Sequence, residues 1–343
     1  MRLGQWIGFL ALVISIYIIW QIRQILLVAF ASVVLATVLN QLVRFLQRFR
    51  IKRGIAIALT VGLLLVILVS FFVLIMPNIV QQLQQFSNLL PMALERLRLW
   101  NNWLLNVIPD NLLENIRGLR YLTQSLQSWS NQLINNFFFL ISSSLSIVLG
   151  LLLFFVLTIM LLSDPTPYRR GFTLLFPAFY RQRVDVILHK CAASLTGWIK
   201  GTLMTMFFIA ILSYVGLSIL QIPSPLVNAI LAGFLEFIPN LGPTLSVIPP
   251  VLFALGDAPW KPVAVVLLYF GIQQIESLVI VPLVMRSQAS ILPAVTLLAV
   301  VIFGSFFGFL GVFLAVPLVI VCQIWIHEVL VKDILNYWHT QHK

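Results

Sequence analysis

Charge is scarce in this sequence. Of 343 residues only 9% are Asp, Glu, Lys or Arg, and the acidic residues number 10 against 21 basic ones. A water-soluble domain carries charge on about a quarter of its residues, so water is excluded as the solvent for most of this surface. Cysteine is nearly absent as well. Cys191 lies near basic residues and Cys322 lies in an apolar run, so neither a disulfide framework nor a thiolate metal site is implied. Enzyme signatures are missing: His327-Glu328 opens like a zinc-protease motif, but position 331 is Val and the second histidine is lacking. No glycine loop ending in Lys is present to cradle a nucleotide phosphate, which excludes an ATP-driven pump of the usual kind. No metal and no cofactor are expected. A filter sequence or charged ring of the channel type is not found either.

What remains is overwhelmingly apolar: 61% of the residues are hydrophobic and the mean hydropathy is +1.04. The expected partner is therefore the lipid bilayer. The formal net charge of +11 does not point to nucleic acid, because the basic residues cluster beside apolar runs, as membrane-flanking residues do. A spanning helix needs about 20 mostly apolar residues. Runs at 6–20, 25–39, 55–76 and 137–162 meet or approach that length, and 202–220 and 263–284 add two more. The first follows Arg2 as a signal peptide would, but no small-residue cleavage site precedes the next apolar run, so it is read as a retained helix. Two further stretches, 225–255 and 292–324, are over-long and punctured by Gly and Pro. The expected fold is an all-α polytopic integral membrane protein with about six full spans and two Gly/Pro-broken segments that either re-enter or cross.

The chain divides accordingly. Residues 1–76 hold three transmembrane helices, and 77–136 form an extracytoplasmic amphipathic domain, with apolar residues at helical spacing in Ile79, Leu83, Phe86 and Leu90. Residues 137–201 hold a fourth span and a basic cytoplasmic segment. A transport core of two span-plus-broken-helix units occupies 202–326, and 327–343 form a cytoplasmic tail. Orientation follows from two basic clusters: Arg44, Arg48, Arg50, Lys52 and Arg53, then Arg169, Arg170, Arg181, Arg183, Lys190 and Lys200. Basic loops stay inside, so both clusters and both termini are placed in the cytoplasm and 77–136 outside.

The broken segments resemble each other. Pro225 precedes Gly242 by 17 residues and Pro293 precedes Gly311 by 18, and each glycine sits in Leu-Gly-x-x-Leu-x-Val, with Pro249 or Pro317 close behind. If both are hairpins, the two halves form an inverted repeat, and Arg286 falls in the cytoplasm. Paired interrupted segments in corresponding halves are the best sequence pointer to a transport site. The candidate break and gating positions are Pro239, Gly242, Pro243 and Pro282 in the first half, and Gly304, Gly308, Gly311 and Pro317 in the second.

Ionisable residues within apolar segments are costly, and two stand out: Glu236 and Glu276. Asn228, Ala232 and Glu236 are four apart and share a helix face, while Tyr269, Gln273 and Glu276 form a comparable stripe. Each carboxylate either lines a solute or ion pathway or satisfies backbone groups freed at a break. Asn240, inside Pro239-Asn-Leu-Gly-Pro243, either presents dipoles to a ligand or occupies an ordinary turn.

Five motifs occur in one order: Asp164 after an apolar run, Trp198-Ile-Lys-Gly201, Gly233-Phe-Leu-Glu-Phe-Ile-Pro-Asn-Leu-Gly-Pro243, Gln274-Ile-Glu-Ser-Leu-Val-Ile-Val-Pro282, and Phe303-Gly-Ser-Phe-Phe-Gly-Phe-Leu-Gly-Val-Phe-Leu-Ala-Val-Pro317. Together, over about 137–326, they resemble the autoinducer-2 exporter (AI-2E), or PerM-like, family. The resemblance implies a secondary-transporter-like fold, homo-oligomeric assembly and export of small molecules such as autoinducer-2, with some members linked to exchange of sodium or lithium for protons. This chain departs from the family pattern at Leu292, where many members have histidine, and at Asn240-Leu241, where an aromatic and isoleucine are common. The leading expectation is an exporter of a small polar solute. A Na⁺(Li⁺)/H⁺ antiporter using Glu236 or Glu276 is the alternative, and a scaffold that binds a partner through 77–136 is the third reading.

Overall fold

In a medium without water the backbone must satisfy its own N–H and C=O groups, and the computed structural model of the chain meets this demand with helices. It describes residues 10, 13–15, 17–71, 73, 77, 144–239, 241–258, 260–284 and 292–335. No strand occurs among them. The 77–136 domain lies outside the described residues apart from Pro77, and Asn240, Arg286 and the last residues of the tail lie outside them as well.

Among the described residues five helices are long and apolar enough to cross a membrane, six if a bent pair counts as one span. The polytopic all-α expectation therefore holds. Helical residues between 10 and 21 lead into α1 (Arg23–Gln47) and α2 (Arg53–Phe71). Next come α3 (Ser144–Ser163) and α4 (Pro165–Leu174), whose axes meet at 93°. Asp164 makes that corner: its carboxylate accepts the Thr166 N–H, and Pro165 opens the second helix, a typical helix start. A 3₁₀ turn, Ala178–Tyr180, leads into α5, Arg181–Ile219. The remaining elements are α6 (Pro225–Leu235), α7 (Leu241–Ser246), α8 (Ile248–Asp257), α9 (Lys261–Ile275), a π-wound turn (Glu276–Ile280), α10 (Val281–Val284), α11 (Pro293–Phe307), α12 (Phe309–Trp325) and a π-wound extension (Ile326–Leu335).

The basic segment after the fourth span differs from a loop. Helix α5 has 39 residues, about 58 Å of rise, so it extends the span expected from residue 202 back to Arg181. No proline interrupts it, and Lys, Arg, Gln and Leu favour helix.

The chain clusters into two compact units. The first holds Met1–Leu64, Val148–Gly201 and Ser287–Lys343, and the second Leu65–Ile147 and Thr202–Arg286. In the first unit, Ser32 of α1 donates to the carbonyls of Val28 (2.8 Å) and of Phe154 on α3 (3.1 Å). Leu39, Val43, Ala56 and Leu162 pack as one core, and Arg53 donates to the Leu162 carbonyl at 3.1 Å. The end of α1, the start of α2 and the end of α3 therefore meet where both basic clusters begin. In the second unit, Ile209 and Leu217 of α5 pack with Ala232 of α6, Phe253 and Ala254 of α8, and Val265, Tyr269 and Ile272 of α9.

Both broken segments fold back on themselves with the same local device. A Cβ built on Gly242 would fall on the Leu235 carbonyl that ends α6, and one on Gly311 would fall on the Phe303 carbonyl near the end of α11. Side chains are excluded there because backbones cross. The arms are short: α6 rises about 16 Å, Leu241–Asp257 about 25 Å and α11 about 22 Å, against a hydrocarbon core of about 30 Å. The second segment differs from the first in its return arm, since α12 continues into its π-wound extension to make a 27-residue helix, Phe309–Leu335. Ala299, Val300 and Ala315 fill the space between α11 and α12.

Gly308 joins those helices at φ 66° and ψ −144°, a conformation open to glycine and strained for other residues. A Cβ there would meet nothing within 4 Å, so its cost is conformational alone. Gly308→Ala is expected to destabilise the purified protein by about 1–3 kcal/mol, read as a lowered unfolding midpoint in detergent. Gly150→Ala, in the interior of α3 with equally open surroundings, should be neutral or stabilising, and equal midpoint losses for both would overturn the assignment.

Candidate functional site: a carboxyl pair at a helix break

The break between α6 and α7 places a carboxyl group inside the second unit. Glu236 caps the C-terminus of α6, where its N–H bonds to the Ala232 carbonyl at 3.1 Å, and the chain then turns through Phe237, Ile238 and Pro239. Two close contacts fix this point. Gly242 packs on the Leu235 backbone, and a Cβ on Gly233 would lie 2.7 Å from the Met206 carbonyl of α5. Glu236 is thus held between a helix end and a close helix crossing, 7% exposed.

Opposite it stands Glu276, also buried, at 8% exposure. The two carboxyl groups lie close enough to interact with each other. Gln273, one turn earlier, donates to Glu276 Oε2 at 2.5 Å, whereas Glu236 Oε2 is buried with no partner among the described residues. Among the described residues no Lys or Arg reaches this pair. The site therefore brings together two carboxyl groups, one amide donor and one open acceptor.

The backbone beneath Glu276 is unusual. Glu276 opens the π-wound turn, in which the Val281 N–H reaches back five residues to the Glu276 carbonyl. Pro282 follows and has no N–H to give the Leu278 carbonyl, so regular α winding is disfavoured there. Turns of this kind are rare and recur at functional sites.

The other sequence candidates separate in space and role. Asn228 is fully buried two turns before Glu236, but its amide donates to the Pro223 and Ser224 carbonyls, at 3.1 and 3.2 Å, and so ties the start of α6. Tyr269 lies buried on the same stripe as Gln273. The carbonyl of Pro243 accepts from Ser246 inside α7. Gly304, Gly308, Gly311 and Pro317 belong to the α11–α12 hairpin of the first unit, whereas the carboxyl pair belongs to the second.

Comparison with known proteins gives these features a setting. The profile described as AI-2E family transporter matches residues 9–331. The chain belongs to the AI-2E family. It is 26% identical over 301 residues to the "Putative transport protein YueF" of Bacillus subtilis (strain 168), covering 83% of this chain and 78% of that one. It is 23% identical over 312 residues to the "Putative transport protein YhhT" of Escherichia coli (strain K12), covering 89% and 83%. With the "Putative permease PerM" of the same strain it shares 28% over 138 residues, covering 39% and 38%. A multi-pass membrane transporter is the class these relatives and helices support.

This AI-2E family protein has a third buried carboxylate, on Glu328, which in the sequence figured only as part of a broken zinc-protease motif. Glu328, 4% exposed, receives Lys190 at 2.9 Å and Lys332 at 2.8 Å on Oε1, with Arg183 at 3.0 Å from Oε2. Arg183 also pairs with Asp333 at 2.9 Å, and the Tyr180 hydroxyl donates to Asp333 at 2.7 Å. The Glu328–Lys332 spacing of i,i+4 was the visible signal; the partners on α5 were not. This network anchors the C-terminal extension to the start of α5. Glu328→Gln leaves Lys190, Lys332 and Arg183 without their shared anion. Because all three remain partly exposed, the expected cost is about 1–3 kcal/mol, seen as a lower unfolding midpoint that high salt narrows; an unchanged midpoint would remove the network from the stability of the fold.

Proposed function

We propose that this transporter exports a small polar solute, of the autoinducer-2 type in size and polarity, with the Glu236–Glu276 pair as its binding point. The observation that carries this reading is the open acceptor on a buried carboxyl pair beside a helix break with short arms. A buried acceptor without a partner is costly to keep, and a solute with hydroxyl or N–H donors satisfies it. Non-helical backbone at membrane depth is tolerated where protein or a watery cavity covers it, and broken helices are the usual frame of such sites in secondary transporters. Alternating exposure of this break to the two faces moves the solute, and homo-oligomeric assembly follows from the family resemblance.

Two buried carboxyl groups without a basic partner among the described residues favour a second reading, in which a proton and Na⁺ or Li⁺ bind the pair in turn and the protein exchanges cation for proton. Flux in proteoliposomes separates the two: movement of an uncharged polyhydroxylated solute supports export, pH-driven sodium movement supports exchange, and no flux with either would leave a scaffold role. Glu236→Gln keeps the side-chain shape and removes its ionisation. The variant is expected to insert and assemble normally while losing coupled flux by about tenfold or more, as the loss of a charged hydrogen bond implies, with Glu276→Gln less severe. Full flux across the pH range in well-folded Glu236→Gln would take this residue out of the mechanism.

Orientation completes the proposal. The first unit brings Arg53 against the end of α3, and Arg183 and Lys190 against the C-terminal extension, so the basic clusters gather at one end. The positive-inside rule then supports cytoplasmic termini in an inner (plasma) membrane. Single cysteines introduced near Asn101 should react with an impermeant reagent from outside, and those near Arg183 and Arg286 from inside. Labelling of position 286 solely from outside would overturn the inverted arrangement of the halves and leave transport itself untouched.

A further inference from the structure

The first unit carries a half-open cavity of about 620 Å³ whose lining does not include the carboxyl pair. Its walls come from α1, α3, α4, α5 and α12. Its chemistry runs along one axis. Phe30 and Val33 of α1, Leu157 of α3 and Leu195 of α5 line the deep end, while Asn40, Tyr168 and Arg169 stand at the other. From Phe30 to Asn40 the depth is about 15 Å along α1, half of the roughly 30 Å hydrocarbon core, which is the depth of one leaflet.

The polar end lies where a headgroup would. Helix α4 leaves α3 at 93°, buries none of its residues, and exposes Tyr168 and Phe172. Phe172 and Phe176 pack on Trp325, at ring distances of 6.4 and 5.9 Å. An amphipathic helix set square to a span, with aromatic rings beside it, is the form of an interfacial element. Six basic residues lie between 164 and 200 against Asp164 and Asp185; Arg183 and Lys190 are taken up by Glu328 and Asp333, which leaves Arg169, Arg170, Arg181 and Lys200 on the basic side. Arg169 is fixed by Asp185, which takes Nε at 2.5 Å and, through its carbonyl, Nη2 at 3.4 Å. Among the described residues its Nη1 group makes no bond and remains for an anion.

We propose that this cavity binds one anionic phospholipid of the adjacent leaflet, with an acyl chain along α1 and the phosphate at Arg169 and Tyr168. The apolar depth admits a chain and disfavours a small polar solute, so this site is separate from the transport reading and stands or falls without it. A guanidinium near a membrane surface contributes on the order of 1 kcal/mol toward anionic lipid, about a fivefold preference.

The test uses the purified full-length protein, stripped in mild detergent and mixed with phosphatidylglycerol or phosphatidylcholine of identical acyl chains, with bound lipid counted by native mass spectrometry. One phosphatidylglycerol per chain is expected, preferred about fivefold over phosphatidylcholine. Arg169→Gln should bring the two lipids near parity, and the paired filling changes Ala36→Phe and Ala192→Phe should remove the bound lipid. Should the filled protein fail to fold, Arg169→Gln decides alone. Equal retention of both lipids by the unaltered protein, an undiminished preference in Arg169→Gln, or undiminished lipid in a folded filled variant would each overturn the site. Concentration-dependent dimerisation that excludes lipid and is abolished by filling would overturn it also, by assigning the cavity to a second copy.

Discussion

Everything in this molecule answers to one constraint: inside a bilayer each backbone N–H and C=O must find a partner within the protein. Long helices meet that demand for most of the chain. The two places where the helix stops in the middle of apolar sequence therefore need special construction, and both receive it in the same way. The returning backbone is pressed against the carbonyl end of the first arm, with a glycine, Gly242 or Gly311, at the point of contact. Close approach covers the freed groups, and it leaves no room for a side chain. The glycines of the repeat are thus tied to the breaks by geometry, whatever the breaks do.

The same constraint sorts the buried carboxylates into two kinds. Glu328 is surrounded by two lysines and an arginine, so its charge is balanced in place and its role is to hold one helix end to another. Glu236 and Glu276 have each other and an amide instead, an arrangement that cannot keep two negative charges at close range in a low-dielectric setting. Such a pair changes state when a proton leaves or a cation or hydrogen-bond donor arrives. The balanced carboxylate belongs to the scaffold, and in the proposed function the unbalanced pair belongs to what the scaffold serves.

Much of this was legible in the residues. Apolar runs located the spans because twenty apolar residues have no alternative fate, and the Pro and Gly pattern located both breaks. The stripe of Tyr269, Gln273 and Glu276 was readable as one helix face by its spacing. Other features were invisible for physical reasons. That Glu236 meets Glu276 depends on how a helix end folds back, which no local pattern encodes. The basic stretch before residue 202 looked like a loop because charge is a poor guide to winding; Lys and Arg favour helix, and α5 runs through them unbroken. The partners of Glu328 lie some 140 residues away in sequence, so one-dimensional reading found a lone acidic residue beside a histidine. The right-angle corner at Asp164-Pro165 was present as a motif, but its meaning, a helix turned to lie across the end of the span, needed three dimensions.

The π-wound turn at Glu276 has a consequence for how this chain tolerates change in length. An i→i+5 turn accommodates one residue more than the α-helix would place there, so the segment after it is out of phase with α9 by about 100°. Removing a single residue between 276 and 280 would allow ordinary winding to resume. Everything from Val281 onward would then keep its side of the helix, because the wide turn already takes up the extra residue. The span would be no less apolar and of nearly the same length, so hydropathy would scarcely register the deletion. A deletion in the regular winding of α9 would instead turn all that follows by about 100°. A one-residue gap in a relative at this point is therefore compatible with the same neighbours, whereas the same gap elsewhere in the helix is a change of phase.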